Sequence, residues 1–158
     1  MPKKSAKPAA PYASLTLLNR NFKDYPDHPD KAQLETFTNS FAKRDYWITF
    51  DCEEFTSLCP VTNQPDFGVI HIRYVADKLC VESKSLKLYL FAYRNFNTFH
   101  EEAVNRILDD FVAACKPRYA EVEGVFRPRG GIAITALAST AKNRCNVHHR
   151  TYPGEDMT

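Results

Sequence analysis

One segment restricts the fold more than any other. Over His100–Cys115, the residues Ala103, Val104, Ile107, Leu108, Phe111, Val112 and Cys115 recur at spacings of three and four. That spacing lays a single apolar stripe along an α-helix, which then has one face to bury. Glu101 and Glu102 stand in the first turn, where the helix dipole favours negative charge. Thr98 offers an N-cap and Pro117 stops the helix. The flanking segments have period two instead. Residues 67–75 put Ile70, Ile72 and Tyr74 on one face and Val69, His71, Arg73 and Val75 on the other. Residues 46–50 form a short aromatic and β-branched strand, and residues 79–82 a second short strand segment. Residues 85–93 form a helix with Leu86, Tyr89, Leu90 and Tyr93 on one side. Residues 119–126 and 131–137 read as strands joined through Arg127-Pro128-Arg129-Gly130-Gly131, whose glycines supply the positive φ of a hairpin connection.

The order is β-β-α-α-β-β, an α+β plan: an antiparallel sheet with two helices on one face. The other face and two sheet edges are left needing cover. A chain of 158 residues has room for one domain only, so self-association into a homo-oligomer is the expected remedy. The expected boundaries are a disordered basic tail over 1–15, one domain over 16–140, and a flexible tail over 141–158. Within the domain, residues 15–44 read as an extended arm, with Pro26 and Pro29 enclosing Asp27 and His28.

Composition removes several function classes. At 44% hydrophobic residues the chain is neither disordered nor fibrous. A formal net charge of +2 with no dense basic cluster argues against a nucleic-acid partner. No apolar run approaches the roughly 20 residues that span a bilayer, so no membrane partner is expected. The lysines near Met1 have no apolar stretch behind them and do not read as a signal peptide. The five cysteines contain no CxxC pair, which argues against a disulfide framework and a zinc finger. A reducing, cytoplasmic setting is the natural reading.

Chemistry concentrates in four places. Cys59 sits in a polar, Pro-punctuated turn, whereas Cys80 and Cys115 lie in apolar surroundings. A thiol in a turn is a candidate nucleophile, with Asp66 as the nearest proton-handling partner and His100 as a second from across the fold. Lys84 and Lys87, three apart at a helix start, make a candidate phosphate site. Arg129, in the glycine-bearing hairpin, offers a bidentate phosphate contact. Phe99 and Glu101 flank His100, and suit stacking on a flat heterocycle and accepting from its N–H groups. The cluster Cys145-Asn146-Val147-His148-His149 lacks a ligand pair, and no metal site is expected.

Taken jointly, these segments closely resemble the short, single-domain NADPH-dependent 7-cyano-7-deazaguanine reductases, the nitrile reductases of queuosine biosynthesis. The carriers are Cys-Pro-x-Thr-x-Gln-Pro-Asp at 59–66, Glu-Ser-Lys-Ser-x-Lys-x-Tyr at 82–89, Phe-His-Glu at 99–101 and Pro-Arg-Gly-Gly at 128–131. The resemblance implies the tunnelling fold, whose β-β-α-α-β-β subunits join into a multimeric barrel with active sites between chains. It implies that Cys59 adds to the nitrile carbon to give a thioimide, with Asp66 and His100 handling protons. It implies that Val81, Glu82, Ser83, Phe99, His100 and Glu101 bind the substrate 7-cyano-7-deazaguanine. It further implies that Lys84, Lys87 and Arg129 grip the NADPH phosphates. Two rivals stand beside it: a zinc-dependent pterin-type enzyme of the same fold, such as a GTP cyclohydrolase, and a nucleic-acid-binding module using the N-terminal lysines.

Overall fold

The computed structural model describes residues 15–17 and 25–141. Most of both expected tails, and the cluster around Cys145, therefore lie outside the described residues. The elements in chain order are a short 3-10 turn (Pro29–Lys31), β1 (Thr36–Thr38), β2 (Trp47–Leu58), β3 (Pro65–Val75), β4 (Leu79–Val81), α1 (Ser83–Phe91), α2 (His100–Cys115), β5 (Tyr119–Arg129) and β6 (Ile132–Ser139). Four strands form one antiparallel sheet in the order β2-β3-β5-β6.

The stripe on α2 is buried as its spacing predicts: Ala103, Val104, Ile107, Phe111 and Cys115 all face inward. They meet the inward face of the sheet, built from Ile70, Ile72 and Tyr74 on β3 and Ala120, Val122 and Phe126 on β5. Tyr74 and Phe111 pack edge to face at 4.9 Å. α1 adds Leu86, Tyr89 and Leu90 to the same core, and Tyr93 follows just beyond its end. At the β5–β6 hairpin, Gly130 and Gly131 take φ of 57° and 81°, the left-handed region that a side chain would strain.

Three expectations change. The strand expected to end at Phe50 runs on to Leu58, because a register shift between Cys52 and Phe55 returns Phe55 and Ser57 to the buried face despite the acidic run between. The segment at 79–81 does not extend the main sheet. It pairs with β1, inside the region expected to be an extended arm. Thr98 is not the cap of α2: Phe99 occupies the N-cap without a side-chain bond, and the Thr98 hydroxyl turns to Glu102 Oε2 at 3.3 Å.

Phe111 is fully buried at the centre of this contact. Phe111→Ala should cost about 3–5 kcal/mol of unfolding free energy by loss of transfer energy and cavity formation. Urea unfolding with an unchanged m-value checks this, and a cost below 1 kcal/mol would contradict the packing.

Candidate active site

Local backbone bonding brings three separate segments to one end of the sheet. β2 ends at Leu58 and β3 begins at Pro65, so the intervening loop must reverse within a few residues. It does so as a closed turn. The Cys59 N–H donates to the Gln64 carbonyl at 2.9 Å, the Asn63 N–H donates to the Cys59 carbonyl at 2.9 Å, and Asn63 takes φ of 56°. The connection between α1 and α2 is stitched onto that turn. The Leu58 N–H donates to Phe96 O and the Thr98 N–H to Leu58 O, both at 3.0 Å. Asn97 Nδ2 donates to Cys59 O at 3.2 Å and to Asn63 Oδ1 at 3.0 Å. His100, at the first position of α2, is thereby delivered to Asp66 at the start of β3.

Asp66 and His100 are both buried, at 4% and 5% exposure. Arg129 Nε lies 2.9 Å from Asp66 Oδ1. His100 Nε2 lies 3.3 Å from Asp66 Oδ2, yet neither atom has a hydrogen-bond partner. Leaving buried polar atoms without partners is costly, and here each has the other as its neighbour. The His100 ring is held flat on Phe126, with centroids 3.9 Å apart and planes 14° apart. Phe126 has room because its neighbours lack side chains. A Cβ at Gly124 would fall 2.6 Å from Val104 and 2.8 Å from the Phe126 ring.

Cys59 is largely covered, at 6% exposure, rather than lying open in a loop. Its thiol is nevertheless lowered from 9.0 to about 6, first by the Arg129 guanidinium, then by the Thr62 hydroxyl and the backbone N–H groups of Thr62 and Val61. At neutral pH it is therefore mostly thiolate. Burial does the opposite elsewhere, pushing Cys52 up to about 11 and Cys115 up to about 12. Cys59, with an acid–base pair beside it, has what a nucleophilic thiol needs.

The remaining expected site residues divide between two places. Phe99, 54% exposed, and Glu101, also exposed, stand on the start of α2 beside the Cys59 cluster. Val81, Glu82, Ser83, Lys84 and Lys87 do not join them. Val81 N–H donates to the Tyr74 hydroxyl at 3.2 Å, which fixes this group at the far end of β3. From Asp66 to Tyr74 is eight residues of strand, about 26 Å. There Val81, Glu82 and Ser83 line a largely apolar cavity of about 450 Å³, walled by Phe37, Phe50 and Tyr74.

Two assignments to phosphate look different in three dimensions. The N–H groups of Lys84 and Ser85 at the α1 terminus already donate to the Glu82 carboxylate, each at 2.8 Å, so that terminus is capped by an anion. What Lys84 and Lys87 offer a phosphate is therefore side-chain charge rather than a helix terminus. Arg129, expected as a phosphate ligand, is instead engaged with Asp66 and Cys59, although its side chain stays 42% exposed. Reading the sequence did not single out Asn97, Phe126 or Ser57 as site residues. The last lies directly opposite Asp66 in the β2–β3 register. Alternation from Phe55 along β2 and from Val122 along β5 was the available signal for Ser57 and Phe126. Among the described residues, no three His, Cys, Asp or Glu side chains gather in a way that could hold a metal ion.

Because the thiolate is the reactive form, alkylation of Cys59 by iodoacetamide should rise with pH through a midpoint near 6. In Arg129→Met the midpoint should move up toward 9.0, since the first cause of the depression is gone. Peptide mass spectrometry reads both, and an unmoved midpoint in the variant would contradict the role given to Arg129.

The chain matches the family model described as QueF-like protein over residues 65–145. It is 56% identical to the NADPH-dependent 7-cyano-7-deazaguanine reductase of Porphyromonas gingivalis, over 73% of this chain and 82% of that protein. It is 55% identical to the reductase of the same name from Streptococcus thermophilus, over 77% and 74%. The reductase from Bacteroides thetaiotaomicron is 50% identical, over 79% and 82%. Among solved structures, apo archaeosine synthase QueF-Like superposes with a TM-score of 0.53 at 20% identity, covering 60% of this chain and 91% of the other, a likeness of fold alone. With relatives at this identity and coverage, the chain belongs to the NADPH-dependent 7-cyano-7-deazaguanine reductase family.

Proposed function

We propose that this protein reduces the nitrile of 7-cyano-7-deazaguanine to an aminomethyl group through a thioimide on Cys59, in queuosine biosynthesis. The observation that carries the reading is the Cys59–Arg129–Asp66–His100 cluster: a thiol lowered to about 6 beside a buried carboxylate and imidazole 3.3 Å apart. The Cys59 thiolate adds to the nitrile carbon, and the electron pair released onto nitrogen takes a proton from Asp66, giving the thioimide. NADPH supplies two hydrides, one to the thioimide carbon and one to the carbon after sulfur has left. His100 replenishes the proton that nitrogen needs at the first reduction. The thiolate then departs from the resulting hemithioaminal and returns to its Arg129-stabilised state. Two hydrides and two protons enter, and the thiol is regenerated unchanged. Covalent attachment keeps the intermediates from water until the departing step.

Phe99 and Glu101 are placed to hold the heterocycle next to Cys59, by stacking and by accepting from adjacent N–H groups. Lys84 and Lys87, on one face of α1, fit cofactor phosphates as cations, and Arg129, whose side chain stays 42% exposed, offers a third. The distance between the two groups of residues supports assembly into a homo-oligomer. One chain presents Cys59, Asp66, His100 and Glu101 at one end of β3, while Val81, Glu82 and Ser83, with Lys84 and Lys87 following on α1, start from the other. A complete site then requires one end from each of two copies. The edges of β2 and β6, at the two margins of the sheet, are the surfaces through which copies add.

Mixing the protein with substrate in the absence of NADPH should give an adduct visible by intact mass. It should be lost in Cys59→Ala and retained in Cys115→Ala. A retained adduct in Cys59→Ala would overturn the reading. Lys84→Ala with Lys87→Ala should chiefly raise the KM for NADPH. Co-refolding Cys59→Ala with this double variant should recover part of the activity that each lacks alone, because some interfaces then pair two intact ends. No recovery would place the whole site within one chain.

A further inference from the structure

The sulfur of Cys59 sits inside a turn whose shape decides what bonds to it. The turn is closed by the Cys59 N–H on the Gln64 carbonyl and by the Asn63 N–H on the Cys59 carbonyl, both at 2.9 Å. Within it the N–H groups of Val61 and Thr62, two and three residues ahead, bond to the Cys59 sulfur together with the Thr62 hydroxyl. A side chain that accepts from the N–H groups two and three residues on is bonded in the manner of a cap. A lone turn fixes several dihedral angles for each bond it gains, so it holds its shape poorly unaided. This one also needs Asn63 in the left-handed region, at φ of 56°.

A fastening arrives from the connection between α1 and α2. Asn97 Nδ2 donates to the Cys59 carbonyl at 3.2 Å and to Asn63 Oδ1 at 3.0 Å. An amide nitrogen carries two protons, so both bonds form at once. One atom thus joins the residue that opens the turn to the residue that ends it. Its backbone is fixed in turn, because Leu58 bonds to Phe96 and Thr98 on either side of Asn97.

We propose that Asn97 is a positioning residue for the Cys59 nucleophile, holding the turn so that the Val61 and Thr62 N–H groups stay aimed at the sulfur. The inference rests on the Cys59 thioimide reading. Asn97 is uncharged and bonds to the Cys59 carbonyl, not to its sulfur, so its influence passes through the turn. The charged group on the sulfur is Arg129, which also bonds to Asp66, and Asp66 faces His100. None of these three is bonded to Asn97, and each keeps its place when the amide is removed. No bond to Asn97 forms or breaks during turnover.

The test uses Asn97→Leu, which keeps the volume and removes the donor, with Asn63→Gly as a second variant. Glycine accepts the left-handed backbone and removes the oxygen that Asn97 grips. In the full chain, alkylation of Cys59 by iodoacetamide is followed against pH, alongside thermal melting and adduct formation without NADPH. The wild-type midpoint lies near 6. In Asn97→Leu it should rise by about one pH unit, the worth of roughly one hydrogen bond to a charged group, since Arg129 still acts. The adduct should then form about five-fold more slowly near pH 6 and at nearly the wild-type rate near pH 8, as the thiolate fraction dictates. Asn63→Gly should move the midpoint in the same direction by less. A role in stability alone would lower the melting temperature and leave both midpoints where they were. If the wild type forms the adduct and the midpoint of Asn97→Leu does not move, the role of Asn97 is overturned while the thioimide reading stands. Should Asn97→Leu fail to fold, an unmoved midpoint in Asn63→Gly overturns it equally. If the wild type forms no adduct, both fall together.

Discussion

The site depends on one small piece of backbone bonding, the clamp at Leu58. Its N–H and carbonyl bond to Phe96 and Thr98, and Asn97 reaches on to the carbonyl of Cys59. Each such bond has a net value of only about 1 kcal/mol. Their joint effect is positional: they tie the connection between two helices to the end of an edge strand nearly forty residues earlier in the chain. Without that tie, His100 would still begin a helix and Cys59 would still close a turn, but the two would have no reason to meet.

Around this clamp, electrostatics and packing act on different members of the cluster. Arg129 acts on charge, drawing the Cys59 thiol down while bonding to Asp66. Phe126 acts on shape, holding the His100 ring parallel to its own over a floor left open by Gly124 and Gly68. The thiol is not freely exposed, and the donors that converge on it hold it well below the usual thiol range. Among the described residues, the buried side-chain atoms without a hydrogen-bond partner are Asp66 Oδ2, His100 Nε2 and the Ser57 hydroxyl. The rest of the core pairs its polar groups, as in the Tyr89–Asp110 bond at 2.6 Å.

Much of this was legible in the sequence. The α2 stripe, the inward face of β3, the glycine hairpin and the order of the elements follow from periodicity, because burial of one face dictates each. Cys59, Asp66 and His100 were nameable from residue type and motif. Less visible was anything set by pairing between distant segments. The β1–β4 pair joins two runs of three residues, too short for a periodic signal. The continuation of β2 to Leu58 depends on a bulge that local alternation hides. Arg129 illustrates the limit most clearly: as a hairpin arginine it suits a phosphate, and only the register of β5 brings it to Asp66. The separation of Val81, Glu82 and Ser83 from Cys59 is likewise a property of strand length, not of motif.

The central claim is that sulfur of Cys59 bonds to the nitrile carbon. The most direct measurement is carbon NMR of the protein loaded with substrate isotopically labelled at that carbon, with NADPH withheld. The expected result is that the nitrile resonance gives way to one typical of a carbon doubly bonded to nitrogen and singly bonded to sulfur, and that Cys59→Ser does not show it. A bound substrate whose labelled carbon stays a nitrile, in a protein that turns over when NADPH is added, would contradict it.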